Sequence, residues 1–176
     1  MQLFWAQGYE GTGVAELCDH MGLGRQSLYN TFGHKETLFT EALNRYQTHR
    51  LQPIVDLLKS PGSGLTHVRQ VFDLWEQHAS SGSQRGCLMA NSIAEFGMRV
   101  PSLTPTLGRM LGSIEEAFVV ALESAKADGE LPEGRDPRTL ARLLTTLGQG
   151  LATVSKLDPT GTFSQDALAS ARALLE

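Results

Sequence analysis

The chain has 176 residues, 41% hydrophobic and 19% charged, which suits one ordinary domain or a small module joined to a larger one. Its formal net charge of −4 excludes a protein coated in basic charge, so any nucleic-acid contact must be local. Two distant cysteines, no apolar run near the roughly 20 residues of a membrane span, and no signal-peptide pattern point to a reducing, cytoplasmic setting without a membrane partner.

In chain order, Val14, Leu17, Cys18 and Met21 give a short helix with one apolar face, and Leu28 and Phe32 give a second. Leu38, Phe39, Ala42, Leu43 and Tyr46 form the inner face of a third, longer helix that leads toward Pro53, where the proline is expected to limit it. The first two are joined by HMGLGRQ, whose glycines Gly22 and Gly24 permit a tight turn. Two short helices on a glycine turn describe a helix-turn-helix, in which the second helix enters the DNA major groove.

That geometry gives the polar residues of GLGRQSLYNTFGHKETLF a use. With Leu28 and Phe32 turned inward, Arg25, Gln26, Ser27, Tyr29 and Asn30 face outward. Arginine pairs bidentately with guanine, and glutamine or asparagine with adenine. Tyr29 offers a hydroxyl to phosphate, and Lys35 opens the next helix, whose free N–H groups favour an anion. The plain alternative is a solvated surface helix.

Beyond residue 50 the spacing stays helical. SPGSG (60–64) separates the front from the body. Leu65, Val68, Phe72, Trp75 and Ala79 mark a helix that ends at the loop SSGSQRG (80–86). RGCLMANSIAEFG (85–97) carries Cys87 into the first turn of the next helix, near Arg85, a setting that lowers a thiol pKa and makes redox or electrophile sensing conceivable; the plain reading is a small buried residue. After VPSLTP, residues 103–125 repeat apolar side chains at three and four. ADGELPEGRDP (127–137) and LDPTGTFS (157–164) bound a helix carrying Leu140, Leu144, Leu147, Leu151 and Val154. Phe163, Leu168, Ala171 and Leu175 fall in a last amphipathic stretch. No β-alternation of useful length appears, so the expected fold class is all-α: an N-terminal helix-turn-helix unit at 1–45 and a larger helical body at 46–176.

Helical bundles place ligand sites between helices, lined by apolar and aromatic groups. The expected pocket takes Phe72, Trp75 and His78 from one helix, Cys87, Met89, Asn91, Ile93 and Phe96 from the next, and Met110, Ile114 and Phe118 from the third. All of them have the competing reading of plain core. Cys87, His78 and Glu95 contain the ingredients of a nucleophile, base and orienter, but no spacing demands a catalytic arrangement, and no metal cluster or phosphate loop is present, so neither an enzyme nor a cofactor is expected.

The run GYEGTGVAELCDHMGLGRQSLYNTFGHKETLFTEAL resembles the DNA-binding segment of the TetR family of transcriptional regulators. The shared features are Phe4 with Gly8 and Tyr9, Thr12, Val14, the SLYNTF run and the glycine, lysine–glutamate pair and LF that follow it. The resemblance implies a homodimer on double-stranded operator DNA, with recognition helices some 34–36 Å apart. It also implies a small-molecule effector, and dimerisation through the last two helices by Leu140, Leu144, Leu147, Leu151, Leu168, Ala171 and Leu175. The DNA-contacting set becomes Thr12, Gly24, Arg25, Gln26, Ser27, Tyr29, Asn30, Thr31 and Lys35. Two departures stand out. Gly13 replaces the usual Ser or Thr, so capping falls to Thr12 or to the glycine backbone. MQLFWAQ reads as the last two turns of a longer helix without a basic arm, which predicts weak DNA binding, or a helical dimeric ligand-binding or interaction module with none.

Overall fold

The computed structural model describes residues 1–80, 85–97 and 99–176. The loop reading of SSGSQRG falls largely on 81–84, outside the described residues. Among the described residues every regular element is helical. The front unit comprises α1 (Gln2–Gln7), α2 (Val14–Met21), α3 (Arg25–Phe32) and α4 (Lys35–Tyr46). The body comprises α5 (Gln52–Leu58), α6 (Gly64–Ser80), α7 (Leu88–Phe96), α8 (Thr104–Ala127), α9 (Pro137–Val154) and α10 (Thr162–Ala173).

Local chemistry accounts for the boundaries. Gly22 takes φ 65° to close α2, and Gly33 at φ 75° closes α3, both conformations that glycine adopts without strain. Asp136 caps α9 by accepting from the Thr139 N–H at 2.8 Å, with Pro137 at the first helical position. Gly13 is the N-cap of α2 and makes no side-chain cap, so capping there is left to backbone and solvent.

Between α4 and α5 the backbone widens into a π-turn, Gln47–Leu51, and the helical path runs on through Pro53 rather than stopping before it. A proline cannot donate to the carbonyl four residues back. Here that carbonyl belongs to His49, inside a turn whose hydrogen bonds already span five residues. The break expected at Pro53 is thereby absorbed as a change of helical register.

The long α8 is the axis of the body. Its apolar stripe, including Met110, Ala117, Phe118 and Leu122, is fully covered by α5, α6, α7 and α9. At the start of α6, Gly64 lies so close to α8 that a Cβ would fall 1.9 Å from the Ala121 carbonyl oxygen. The front unit is docked onto the body by α7. The Tyr9 and Phe39 rings meet Phe96 of α7, with centroids 5.4 and 5.7 Å apart, and Phe4 packs edge-on against Phe39 at 4.9 Å. Trp5 of α1 donates its indole N–H to the Gly86 carbonyl at 3.0 Å.

Candidate DNA-reading surface and effector cavity

Helix α3 is anchored by Leu28, with Phe32 packed partly buried against the same core. Leu28 is fully buried, and around it Arg25, Gln26, Ser27, Tyr29, Asn30 and Thr31 are exposed. Gly24 precedes the helix in an extended conformation with no side-chain cap, leaving the first N–H groups of α3 open. Gln26 donates to the Asn30 Oδ1 at 2.9 Å, so the two amides form one edge, one turn long, that still offers an acceptor and a donor outward. Lys35 stands at the start of α4 with Nζ 4.2 Å above the Tyr9 ring, which fixes its ammonium beside the N-terminus of α4.

Thr12 departs from the expected set. It is completely buried, and its hydroxyl donates to the Gly8 carbonyl at 2.6 Å. A side chain with no exposed atom has no phosphate to meet, so Thr12 braces the α1–α2 turn instead.

The body holds a cavity of about 320 Å³. Its floor is the π-turn (His49, Arg50, Leu51) with Tyr46, Pro53 and Ile54; its walls come from Trp5, from Leu74, Trp75 and His78 of α6, and from α9 between Gly148 and Ser155. Of the expected pocket residues, Trp75, His78, Cys87 and Ile114 line it. Phe72, Met89, Phe96, Met110 and Phe118 do not: each is almost wholly buried in core packing, Phe72 stacked at 5.8 Å behind Trp75, and Ile93 packs partly buried against the same core. Asn91 donates to the Arg85 carbonyl at 3.0 Å and accepts from Lys156, lining a separate polar recess with Arg85 and Gln7.

Trp5, Tyr46, Arg50 and Gln149 are among the lining residues that the sequence did not point to. Arg50 carries its guanidinium 5.3 Å from the Trp5 ring. Burial, then the neighbouring Arg50 charge, hold the His78 imidazole below its ordinary pKa. Burial, and then the Cys87 thiol beside it, push the Tyr46 hydroxyl well above the phenol range. Cys87 is thus the buried N-cap residue of α7, set against a tyrosine, while Arg85 directs its guanidinium to Gln2 at 2.6 Å. The Gln149 Oε1 is sealed from solvent with no hydrogen-bond partner among the described residues, a position where a donor would be stabilised. Gly148 permits the fit of Trp75: a Cβ there would sit 2.7 Å from the indole. Glu95 is on α7 but bonded to the backbone of Tyr9 and Glu10, so the Cys87, His78 and Glu95 constellation is not assembled.

Most of the expected dimer residues are packed inside the chain itself. Leu140, Leu144, Leu151, Leu168, Ala171 and Leu175 are buried within this chain, and Leu151 faces the cavity. Leu147 is partly buried against the core. What α9 and the segment after it leave exposed is Leu143, Val154, Leu157 and Phe163, the last two 90% and 70% exposed.

Residues 1–42 match the family model described as "Bacterial regulatory proteins, tetR family", and residues 64–171 match "Tetracyclin repressor-like, C-terminal domain". The HTH-type transcriptional regulator YezE of Bacillus subtilis, itself uncharacterised, is 32% identical over 159 residues, covering 89% of this chain and 82% of its own length. The HTH-type transcriptional repressor ComR of Escherichia coli is 27% identical over 157 residues, covering 86% and 73%. Among solved structures, a cysteine mutant of the regulator CifR bound to a 26-bp operator DNA superposes with a TM-score of 0.78 at 28% identity, over 98% of this chain and 88% of that one. The reduced form of Escherichia coli NemR superposes with a TM-score of 0.85 at 22% identity, covering 99% and 92%, a likeness of fold.

Proposed function

Because the chain belongs to the TetR family of bacterial transcriptional regulators, we propose that it is a homodimeric, cytoplasmic repressor released from its operator by a small molecule held in the cavity. It is a regulator and not an enzyme. The observation that carries the release mechanism is the π-turn. Gln47–Leu51 supplies the cavity floor at His49, Arg50 and Leu51, and continues without a break into α4, which packs on α3. π-turns inside helices recur at functional sites because one residue can be shifted in or out of register at small energetic cost. A ligand that favours one register rotates α4 and changes the spacing of the two recognition helices. It shifts the equilibrium only by its differential affinity for the two states.

In this reading Arg25 and Gln26 read base edges, while Tyr29, Ser27, Thr31 and Lys35 hold phosphates. Asn30 presents Gln26, and Gly24 lets the start of α3 approach the backbone of the duplex. The dimer forms through Leu143, Val154, Leu157 and Phe163, an apolar set too exposed to be part of the chain's own core.

Fluorescence polarisation with a labelled duplex from the region upstream of its own gene tests the DNA half. The expected result is specific binding that weakens steeply with salt. Binding no tighter than to a scrambled duplex at any salt concentration favours the ligand-binding dimer without DNA recognition.

A further inference from the structure

The protein is acidic overall, with 19 Asp and Glu against 15 Lys and Arg, yet among the described residues no carboxylate lines the cavity. Its charged and titratable wall groups are His49, Arg50, His78, Tyr46 and Cys87. Arg50 forms no ion pair with a carboxylate among the described residues; it lies against the face of Trp5 and near His78 and Tyr46. A guanidinium in a fixed stack presents its N–H fork to planar two-oxygen anions, a geometry an ammonium lacks. Apart from the Gln149 amide and Ser155, the rest of the wall is apolar and aromatic, chiefly Trp5, Trp75, Ile54, Leu74 and Ile114. A cationic ligand would meet Arg50 with no wall carboxylate to offset it, whereas an anion meets a cation already in place.

We infer that the cavity takes a small amphipathic carboxylate, its two oxygens held by the Arg50 guanidinium and its aryl or alkyl part laid against Trp5 and Trp75. Arg50 belongs to the π-turn, so the same contact that selects the ligand also pulls on the segment leading to α4. This identification of the ligand class rests on the effector-regulated reading given above.

The chain has two tryptophans, and both line the cavity, so intrinsic fluorescence reports binding directly. The full chain is titrated with 4-phenylbutyrate, 4-phenylbutylamine and 4-phenylbutanol at equal pH and ionic strength. The carboxylate is expected to bind at least about tenfold more tightly than the other two. Arg50→Gln removes that preference and leaves alcohol affinity within about twofold. Amine binding as tight as carboxylate binding, no saturable signal from the carboxylate, or a preference that survives Arg50→Gln each overturns the inference. Polarisation with operator duplex separates it from the parent reading. A carboxylate that binds selectively without changing operator affinity sinks the effector mechanism and leaves the ligand class intact. Operator release by the amine and not by the carboxylate does the reverse.

Discussion

The Glu95 carboxylate accepts the Tyr9 main-chain N–H at 3.0 Å, and its second oxygen accepts the Glu10 N–H at 2.8 Å. One side chain of the regulatory body therefore holds the turn between the first two helices of the DNA-reading unit. Gly8 makes room for it, since a Cβ there would stand 2.9 Å from the carboxylate. The Tyr9 ring, set edge-on against Phe39 and Phe96, completes a polar-and-aromatic joint between α7 and the front unit.

Breaking this joint is expected to loosen the unit without unfolding it. Glu95→Ala leaves two main-chain N–H groups without their charged acceptor, each bond of that type being worth roughly 1.5–3 kcal/mol. Partial solvent access reduces the loss, so urea denaturation should show a fall of about 2 kcal/mol. Ligand-induced loss of operator affinity should shrink at the same time. A variant with unchanged stability and unchanged release would contradict the joint.

The reading surface predicts two kinds of loss. Arg25→Ala should weaken operator binding by about 1–3 kcal/mol per half-site and relax base preference at one position. Tyr29→Phe should weaken binding evenly across sequences, because a phosphate contact carries no base information. Polarisation against a set of single-base operator variants distinguishes the two. Equal, sequence-independent losses for both would remove Arg25 from base reading.

The proposed dimer face is tested by a contrast. Phe163→Glu places a charge on the exposed patch and should yield a monomer by analytical ultracentrifugation with little change in secondary structure. Leu144→Ala, inside the chain's own core, should cost about 2–5 kcal/mol of stability. A dimer that survives Phe163→Glu and dissociates with Leu144→Ala at unchanged stability would restore the other face.

His78 sets a pH dependence of modest size. Its folded-state pKa lies below the ordinary value of 6.5. Below that value the unfolded chain takes up a proton that the folded chain resists, so stability falls as pH drops through the window beneath 6.5. An anion bound at Arg50 favours the imidazolium, so carboxylate affinity should rise over the same descent. Titrations of the unsubstituted chain and of His78→Gln between pH 7.5 and about 5.5 check both signs. A slope that is identical in the two proteins would remove His78 as its source.

Much of this was legible in the residues. Helix positions followed from spacing of three and four, and the recognition helix from Leu28 and Phe32 framed by glycines. The cavity was not legible, because Phe72, Met110 and Phe118 recur at core spacing whether or not a void lies beside them. Its floor lay hidden in the π-turn: once the helix changes register, periodicity no longer says where Arg50 points. Which apolar face of α9 is left exposed was not legible for a related reason. Helix α9 carries two adjacent apolar stripes, Leu140, Leu144 and Leu151, and Leu143, Leu147 and Val154, and the sequence does not say which of them α8 covers. Thr12 entered the contact set through the family resemblance, while its burial depends on the fold of the α1–α2 turn.

The central claim is that the cavity and the recognition helices share one equilibrium. Operator affinity measured with and without saturating 4-phenylbutyrate, and 4-phenylbutyrate affinity measured with and without saturating operator, give two factors from one thermodynamic cycle. The account predicts that each ligand weakens the other, and by the same factor. Operator affinity that is indifferent to a bound carboxylate, with tryptophan quenching equally indifferent to operator, would contradict it.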